Sequence, residues 1–308
     1  MLIRTSVEAD LDQLLTLLGD QSVNTAHPER YTQYLADGHY RHEFTWVAED
    51  GDRLIAAAVW WSFPGASRPF ALDGLYALPD RTDSVALWTE LIQQVTSTAS
   101  ADGEPPSYHI FLPPGWRADA EIQAALEPRI AAAKAAGMKD ELERLRFEWL
   151  SDTPVPERST RLTFRPEPDD QAFLDVFQRV AAGSLDGGTH ESIARAGLAG
   201  YAQETLDTYQ EMPGERSWWK LAYDSDGDLV GFAIPSRNNA GPVVGFLGVV
   251  PEQRGHGYAA DVLAEITADL ADLGAERIAA DTDFGNVPMA NTFRRLGYSN
   301  FAVRLVLS

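Results

Sequence analysis

Two periods run through the apolar positions of this chain. Leu11, Leu14, Leu15 and Leu18 recur at helical spacing, and so do Phe173, Val176, Phe177 and Val180. Each set predicts an amphipathic helix with one apolar stripe. A second pair follows: Trp88, Leu91, Ile92 and Val95, then Val262, Leu263, Ile266 and Leu270. Between these helices lie short apolar runs broken by turn residues. "VAEDGDRLIAAAVWW" (47–61) and "LAYDSDGDLVGFAIP" (221–235) each read as strand, Asp/Gly turn, strand. "LDGLYALPD" (72–80) and "VGFLGVVPE" (244–252) are apolar strands halted by Pro79 and Pro251. Later come strands at 108–113 and 276–283, then a helix, a glycine (Gly137; Gly297) and a final strand, "ERLRFEWL" or "FAVRLVL".

The parallels mark an internal duplication. Leu54 aligns with Leu229, and Pro79 with Pro251. Each half reads as strand, helix region, three strands, helix, strand, helix, strand. This is an α/β plan with a mixed sheet. The segment "SDTPVPERSTR" (151–161) is polar, aperiodic and holds two prolines, so it divides the chain into domains expected at 1–152 and 160–308.

Charge narrows the partners. The chain has 46 acidic and 25 basic residues and a net charge of −21. Nucleic-acid binding needs a basic face and is not expected. An acidic surface draws a cationic substrate, or simply keeps the protein soluble. No run reaches the length of a membrane span, and the acids in "MLIRTSVEADLDQLL" do not suit a signal peptide. The absence of cysteine excludes disulfides and thiolate chemistry. A cytoplasmic protein is expected, and no metal site. His190-Glu191 has no second histidine at helical spacing, and "DSDGD" (224–228) reads as a hairpin turn.

The stretch "LGVVPEQRGHGYAADVL" carries candidate chemistry. A strand ends at Pro251, Gly255 and Gly257 permit a tight turn, and a helix starts near Tyr258. Unpaired N–H groups and the positive dipole end of that helix make an anion site, to which Arg254 adds charge-assisted bonds. An ordinary strand–helix connection would use similar residues. Neither a nucleotide P-loop nor a dinucleotide fingerprint is present.

Arg254-Gly255-His256-Gly257-Tyr258-Ala259 resembles the acetyl-CoA-binding motif of the GNAT acetyltransferase superfamily, [QR]-x-x-G-x-[GA]. Asn286, Phe293, Gly297 and Tyr298 match that family's second motif in spacing. The resemblance covers about 160–308 by motif and 1–150 by architecture only, and the whole looks like a tandem GNAT protein. It implies a fourth strand (about 243–250) splayed from a fifth (276–282), with the pantetheine arm of acetyl-CoA in the gap. Val249 and Val250 then lie along that arm. A backbone N–H near Val249 polarises the thioester, the amides of 254–259 take the pyrophosphate, and Asn286 orients the far end of the cofactor. An acceptor amine attacks directly in a ternary complex.

Several positions depart from the family. The first half has "ALPDRTDSVALW" (77–88) at the place of the motif, without glycine and with Asp80 and Asp83. It reads as a degenerate copy without cofactor that helps wall the acceptor site. In the second half Phe293 stands where many relatives place a tyrosine acid, and the fourth strand lacks the family's frequent glutamate base. Asp281 is then the leading base candidate, although it and Asp283 could equally cap the turn that follows. Asp186, His190 and Glu191 could bind a cationic acceptor or act as bases, or form a solvated helix start. The reading is an N-acetyltransferase for a small amine. A non-catalytic acyl-CoA-binding module and a protein or peptide N-acetyltransferase are the alternatives.

Overall fold

The computed structural model describes residues 1–19, 21–99 and 106–308. Two compact units emerge, one of residues 1–143 with 303–308 and one of residues 144–302. The first contains β1 (Leu2–Thr5), α1 (Leu11–Leu18), α2 (Pro28–Ala36), β2 (Thr45–Asp50), β3 (Arg53–Trp61), β4 (Ala71–Ala77), α3 (Ser84–Ala99), β5 (Ser107–Leu112) and α4 (Ala120–Ala135). Strand β6 (Glu141–Leu150) leads into the second unit. There follow β7 (Thr163–Pro166), α5 (Asp170–Ala181), α6 (Gly187–Glu211), β8 (Lys220–Tyr223), β9 (Leu229–Asn238) and β10 (Gly241–Val249). The chain continues through α7 (Tyr258–Asp272), β11 (Arg277–Asp283), α8 (Val287–Arg295) and β12 (Ser299–Leu307).

The two units share one topology. In the first, β1, β2, β3 and β4 pair antiparallel in sequence order, β5 joins β4 in parallel, and β12 joins β5 antiparallel. In the second, β7, β8, β9 and β10 do the same, β11 joins β10 in parallel, and β6 joins β11 antiparallel. The α/β plan with a mixed sheet is therefore present twice.

The last strands depart from the sequence expectation. "ERLRFEWL" does not complete the half that encodes it. It pairs with β11 from Arg144↔Asp283 to Leu150↔Arg277. "FAVRLVL" in turn pairs with β5. The compact units therefore divide at 143/144 and 302/303, not within 152–160. Alternation of apolar and polar residues fixes which face of a strand is buried, but not which neighbour the strand pairs with.

Each core forms on the apolar stripes read from the sequence. In the second unit Phe173, Val176, Phe177 and Val180 of α5 pack with Trp219, Phe232 and Ile234. Phe177 and Phe232 meet edge-on at 5.0 Å between centroids, a favoured aromatic geometry. In the first unit Leu14, Leu17 and Leu18 pack on Val47, Ala57, Val59 and Tyr76. Side chains also hold the start of α5 and the end of α7. Asp169 accepts from the Gln171 amide at 3.0 Å, and Arg158 spans Glu265, Asp269 and Asp272. No helix among the described residues is long and apolar enough to cross a membrane.

Candidate active site

Strands β10 and β11 touch at one register position, Val243↔Ala279, and then separate. A bulge between Val244 and Phe246 starts the divergence. Gly245 permits it, because a Cβ there would lie 2.6 Å from the Ile234 carbonyl oxygen. Tyr209 of α6 donates its hydroxyl to the Gly245 carbonyl at 2.8 Å and stacks on Phe246. Burial pushes the Tyr209 phenol above its ordinary pKa, so it keeps its proton at neutral pH. Beyond the bulge, the Val250 amide donates to Val230 at 2.9 Å. Backbone direction alternates along a strand, so the Val249 N–H turns away from β9 and into the gap. The gap is the floor of a cleft of about 830 Å3.

Val249 lines that cleft, but Val250 does not. Val250 is fully buried, and its carbonyl accepts from the Gln253 amide at 3.0 Å. Both of its backbone groups are thus spent inside the protein, which removes it from the candidate cofactor contacts.

The turn after β10 shapes one end of the cleft. Gly255 and Gly257 adopt φ of +86° and +79°, values that cost an L-residue about 1–2 kcal/mol. Among the described residues, the amides of Gly255, His256 and Gly257 donate to no acceptor. The amides of Tyr258 and Ala259 open α7 and have no intrahelical partner. Five successive N–H groups therefore stand at a helix N-terminus. Arg161 buttresses this turn: it donates to the His256 carbonyl at 3.1 Å, pairs with Asp261 and lies over the Tyr258 ring.

The Arg254 side chain does something the sequence did not suggest. Its Nε donates to the Val249 carbonyl at 3.1 Å, its Nη2 to Val180 at 2.7 Å, and its Nη1 to Ala182 at 2.7 Å and Gly183 at 3.2 Å. The expected phosphate contact is in fact a staple. The guanidinium caps the carbonyl end of α5, where a cation is favoured, and ties it to the end of β10.

A charged cluster occupies the cleft wall. Arg144 lies 2.9 Å from Asp281, 3.5 Å from Asp186 and 3.4 Å from Asp283. Burial works against its charge, yet the three carboxylates, Asp281 foremost, hold its pKa above the ordinary arginine value. Asp281 is thus paired with the Arg144 guanidinium. Asp283 is buried, accepts from the Gly187 amide, and is pushed above the usual carboxylate range chiefly by burial. Asp186 caps α6 by accepting from Thr189 at 2.9 Å. Glu191 is exposed and lies outside the cleft, which removes it from the candidate catalytic groups. His190 is also exposed and binds the Ser184 carbonyl. Asn286 caps α8 through the Met289 amide and lines the cleft. Phe293 lines it too, stacked on Phe147 at 5.0 Å. No group of three or more His, Cys, Asp or Glu among the described residues is arranged to hold a metal ion.

Comparison with known proteins fits this geometry. Residues 188–298 match the model of the Acetyltransferase (GNAT) family. The second unit carries a GNAT domain. The chain is also 28% identical over 158 residues to a mycothiol acetyltransferase of Pseudarthrobacter chlorophenolicus. That match covers 49% of this chain and 46% of the relative, so it spans about half of the relative's length. A GCN5-related N-acetyltransferase from Sphaerobacter thermophilus shares the fold, with a TM-score of 0.60 at 17% identity over 99% of this chain and 94% of that one. The glucosamine N-acetyltransferase region of a fungal multi-domain β-N-acetylglucosaminidase also shares it, with a TM-score of 0.54 at 14% identity. All of this chain aligns there with 38% of the fungal one.

The first unit shows what separates its own splay from that of the GNAT domain. Among the described residues, strands β4 and β5 pair only at Ala71↔Ser107 and Leu72↔Tyr108. Leu75 is the counterpart of Leu247 in the alignment of Pro79 with Pro251. Its carbonyl accepts from Arg129 Nε at 3.2 Å. Arg129 is only 3% exposed and also donates to the Ala125 carbonyl and to Gln21. Side chains fill the first gap where the GNAT domain keeps a cleft.

Proposed function

We propose that the protein is an acetyl-CoA-dependent N-acetyltransferase that acylates the primary amine of a small molecule. The observation that carries this reading is the pairing of a splayed gap with five unengaged amides at the start of α7. A pyrophosphate suits those amides, and the Val249 N–H suits the thioester oxygen, whose charge grows as the amine attacks. In that step the carbon–nitrogen bond forms, the carbon–sulfur bond breaks, and the amine's proton is lost as the thiol departs. Val249, Gly255, His256, Gly257, Tyr258 and Ala259 would hold the cofactor along its length, with Asn286 and Phe293 on the opposite wall. Arg254 acts on this site by fixing the turn. The paired state of Asp281 favours a role in binding over one as a base. Residues 1–143 form the degenerate copy, with no cofactor of their own.

The experiment is a thiol-release assay with acetyl-CoA across amines of graded size and charge. Turnover with small amines supports the reading. A second reading is a binding module without catalysis, favoured by the absence of any hydroxyl on Phe293 and by the pairing of Asp281. Cofactor binding without thiol release from any amine would select it. Turnover on peptides alone would select the protein N-acetyltransferase.

A further inference from the structure

The gap in the GNAT domain opens at a bulge, and the first unit has a bulge at the matching position. In β10 the register runs Val244↔Pro235 and then Phe246↔Ile234, which leaves Gly245 unpaired. In β4 it runs Leu72↔Trp60 and then Gly74↔Val59, which leaves Asp73 unpaired. Asp73 stands six residues before Pro79, as Gly245 does before Pro251. A tyrosine hydroxyl holds each bulge. Tyr40, in the turn after α2, donates to the Asp73 carboxylate at 2.8 Å, which Arg30 meets at 3.4 Å. Tyr209, near the end of α6, donates to the Gly245 carbonyl at 2.8 Å. Each tyrosine comes from the helical region between the first and second strands of its unit. The first bond reaches a side chain, and the second reaches the backbone itself.

That difference matters in β10. The extra residue of a bulge stands outside the ladder that orients its neighbours, and glycine has no Cβ to restrict the rotation of its peptide groups. Gly245 is therefore the loosest link of the strand. Two residues on, Leu247 turns its N–H into the gap by the same alternation that turns the Val249 N–H there, and both residues line the cleft. The aim of these N–H groups follows from the peptide plane at Gly245. The Tyr209 ring stacks on Phe246 with centroids 5.7 Å and planes 11° apart, which holds the side chain after the bulge. Its hydroxyl holds the carbonyl, and so fixes the plane.

We propose that Tyr209 is a positioning residue for acyl transfer: by holding the Gly245 carbonyl it keeps the Leu247 and Val249 N–H groups aimed at the thioester oxygen. This rests on the acyl-transfer reading of the cleft. The role is separate from cofactor affinity, because the amides of 255–259 lie beyond Pro251 and are fixed by the Arg254 staple instead.

Tyr209→Phe keeps the ring and its stacking and removes the hydroxyl alone. One neutral hydrogen bond is a small part of a domain's stability, so the variant should fold, and a ligand-free thermal melt checks this. The probe is acetyl-CoA isotope-labelled at the thioester carbonyl, read by isotope-edited infrared spectroscopy. Donors aimed at the carbonyl oxygen weaken its double bond, so binding to the wild-type protein should lower the stretching frequency below that of free acetyl-CoA. Tyr209→Phe should lose most of that lowering while its affinity for acetyl-CoA, by calorimetry, stays within about threefold of wild type. Tyr40→Phe removes the matching bond of the first unit and should leave the bound frequency at the wild-type value. A full lowering in Tyr209→Phe overturns the proposal, and so does an equal loss in Tyr40→Phe. Loss of affinity alongside the frequency change also overturns it, because a positioning role leaves binding in place. Absence of acetyl-CoA binding by the wild-type protein defeats the acyl-transfer reading and this inference with it. Binding with the same frequency in wild type and Tyr209→Phe defeats this inference alone.

Discussion

Replacing Arg254 by glutamine separates two roles that the sequence merges. If the guanidinium were a phosphate ligand, the ligand-free protein would hardly notice its loss. The structure instead gives it four carbonyl partners, at 2.7, 2.7, 3.1 and 3.2 Å. A hydrogen bond from a charged donor contributes about 1.5 kcal/mol at the lower end of its range. Part of this cluster is solvated, and the three carbonyls at the end of α5 can turn to water, so about half of that sum is realised. Capping the negative end of α5 adds about 0.5 kcal/mol. The expected cost of Arg254→Gln is therefore about 3.5 kcal/mol. In a unit of this size, 1 kcal/mol moves the melting temperature by about 2–4 °C, so the ligand-free variant should melt about 7–14 °C lower. Scanning calorimetry without acetyl-CoA makes the measurement. An unchanged melting temperature together with weaker acetyl-CoA binding would refute the staple and restore Arg254 as a phosphate ligand.

Other substitutions probe the remaining parts. Gly257→Glu places a carboxylate at the amide cluster in a backbone of φ +79°. It should lower acetyl-CoA affinity at least about a hundredfold, against a folding cost of about 1–2 kcal/mol, and binding and denaturation curves report the two effects separately. Gly245→Val would drive a Cβ to 2.6 Å from the Ile234 carbonyl oxygen. A loss of about 3 kcal/mol or more in urea melts is expected, and a wild-type curve would show the bulge to be dispensable. In the first unit, burial and then Arg304 lower the pKa of His109 from 6.5 to about 4. The unfolded chain takes up that proton first, so stability should fall as pH drops from 6.5 toward 4. The loss is on the order of 2 kcal/mol, and His109→Gln, which cannot titrate, should not share it.

Much of the second unit was legible because its signals are local. Glycines before a helix, a proline after an apolar strand and stripes at helical spacing depend on neighbouring residues only, and they located the turn at 254–259 and the helix after it. Cores followed for the same reason: Phe173, Phe177 and Leu14 lie inside because their periodicity leaves them no other face. What escaped was long-range. Arg144 precedes the 151–161 segment and looked like part of the first half's last strand. Only pairing with β11 carries it into the second unit, and period-two alternation is silent about partners. Arg254 escaped because a motif names a residue and not the direction of its side chain. Glu191 was placed in the right segment but on the solvent side of α6, one residue from His190 and five from Asp186, the residue that does line the cleft.

The central claim is that one of two related gaps binds the cofactor and the other is filled by its own side chains. Titrating acetyl-CoA into the protein by calorimetry tests this most directly. The account predicts one binding event per chain, with affinity on the order of micromolar. No heat, or two equivalents per chain, would contradict it.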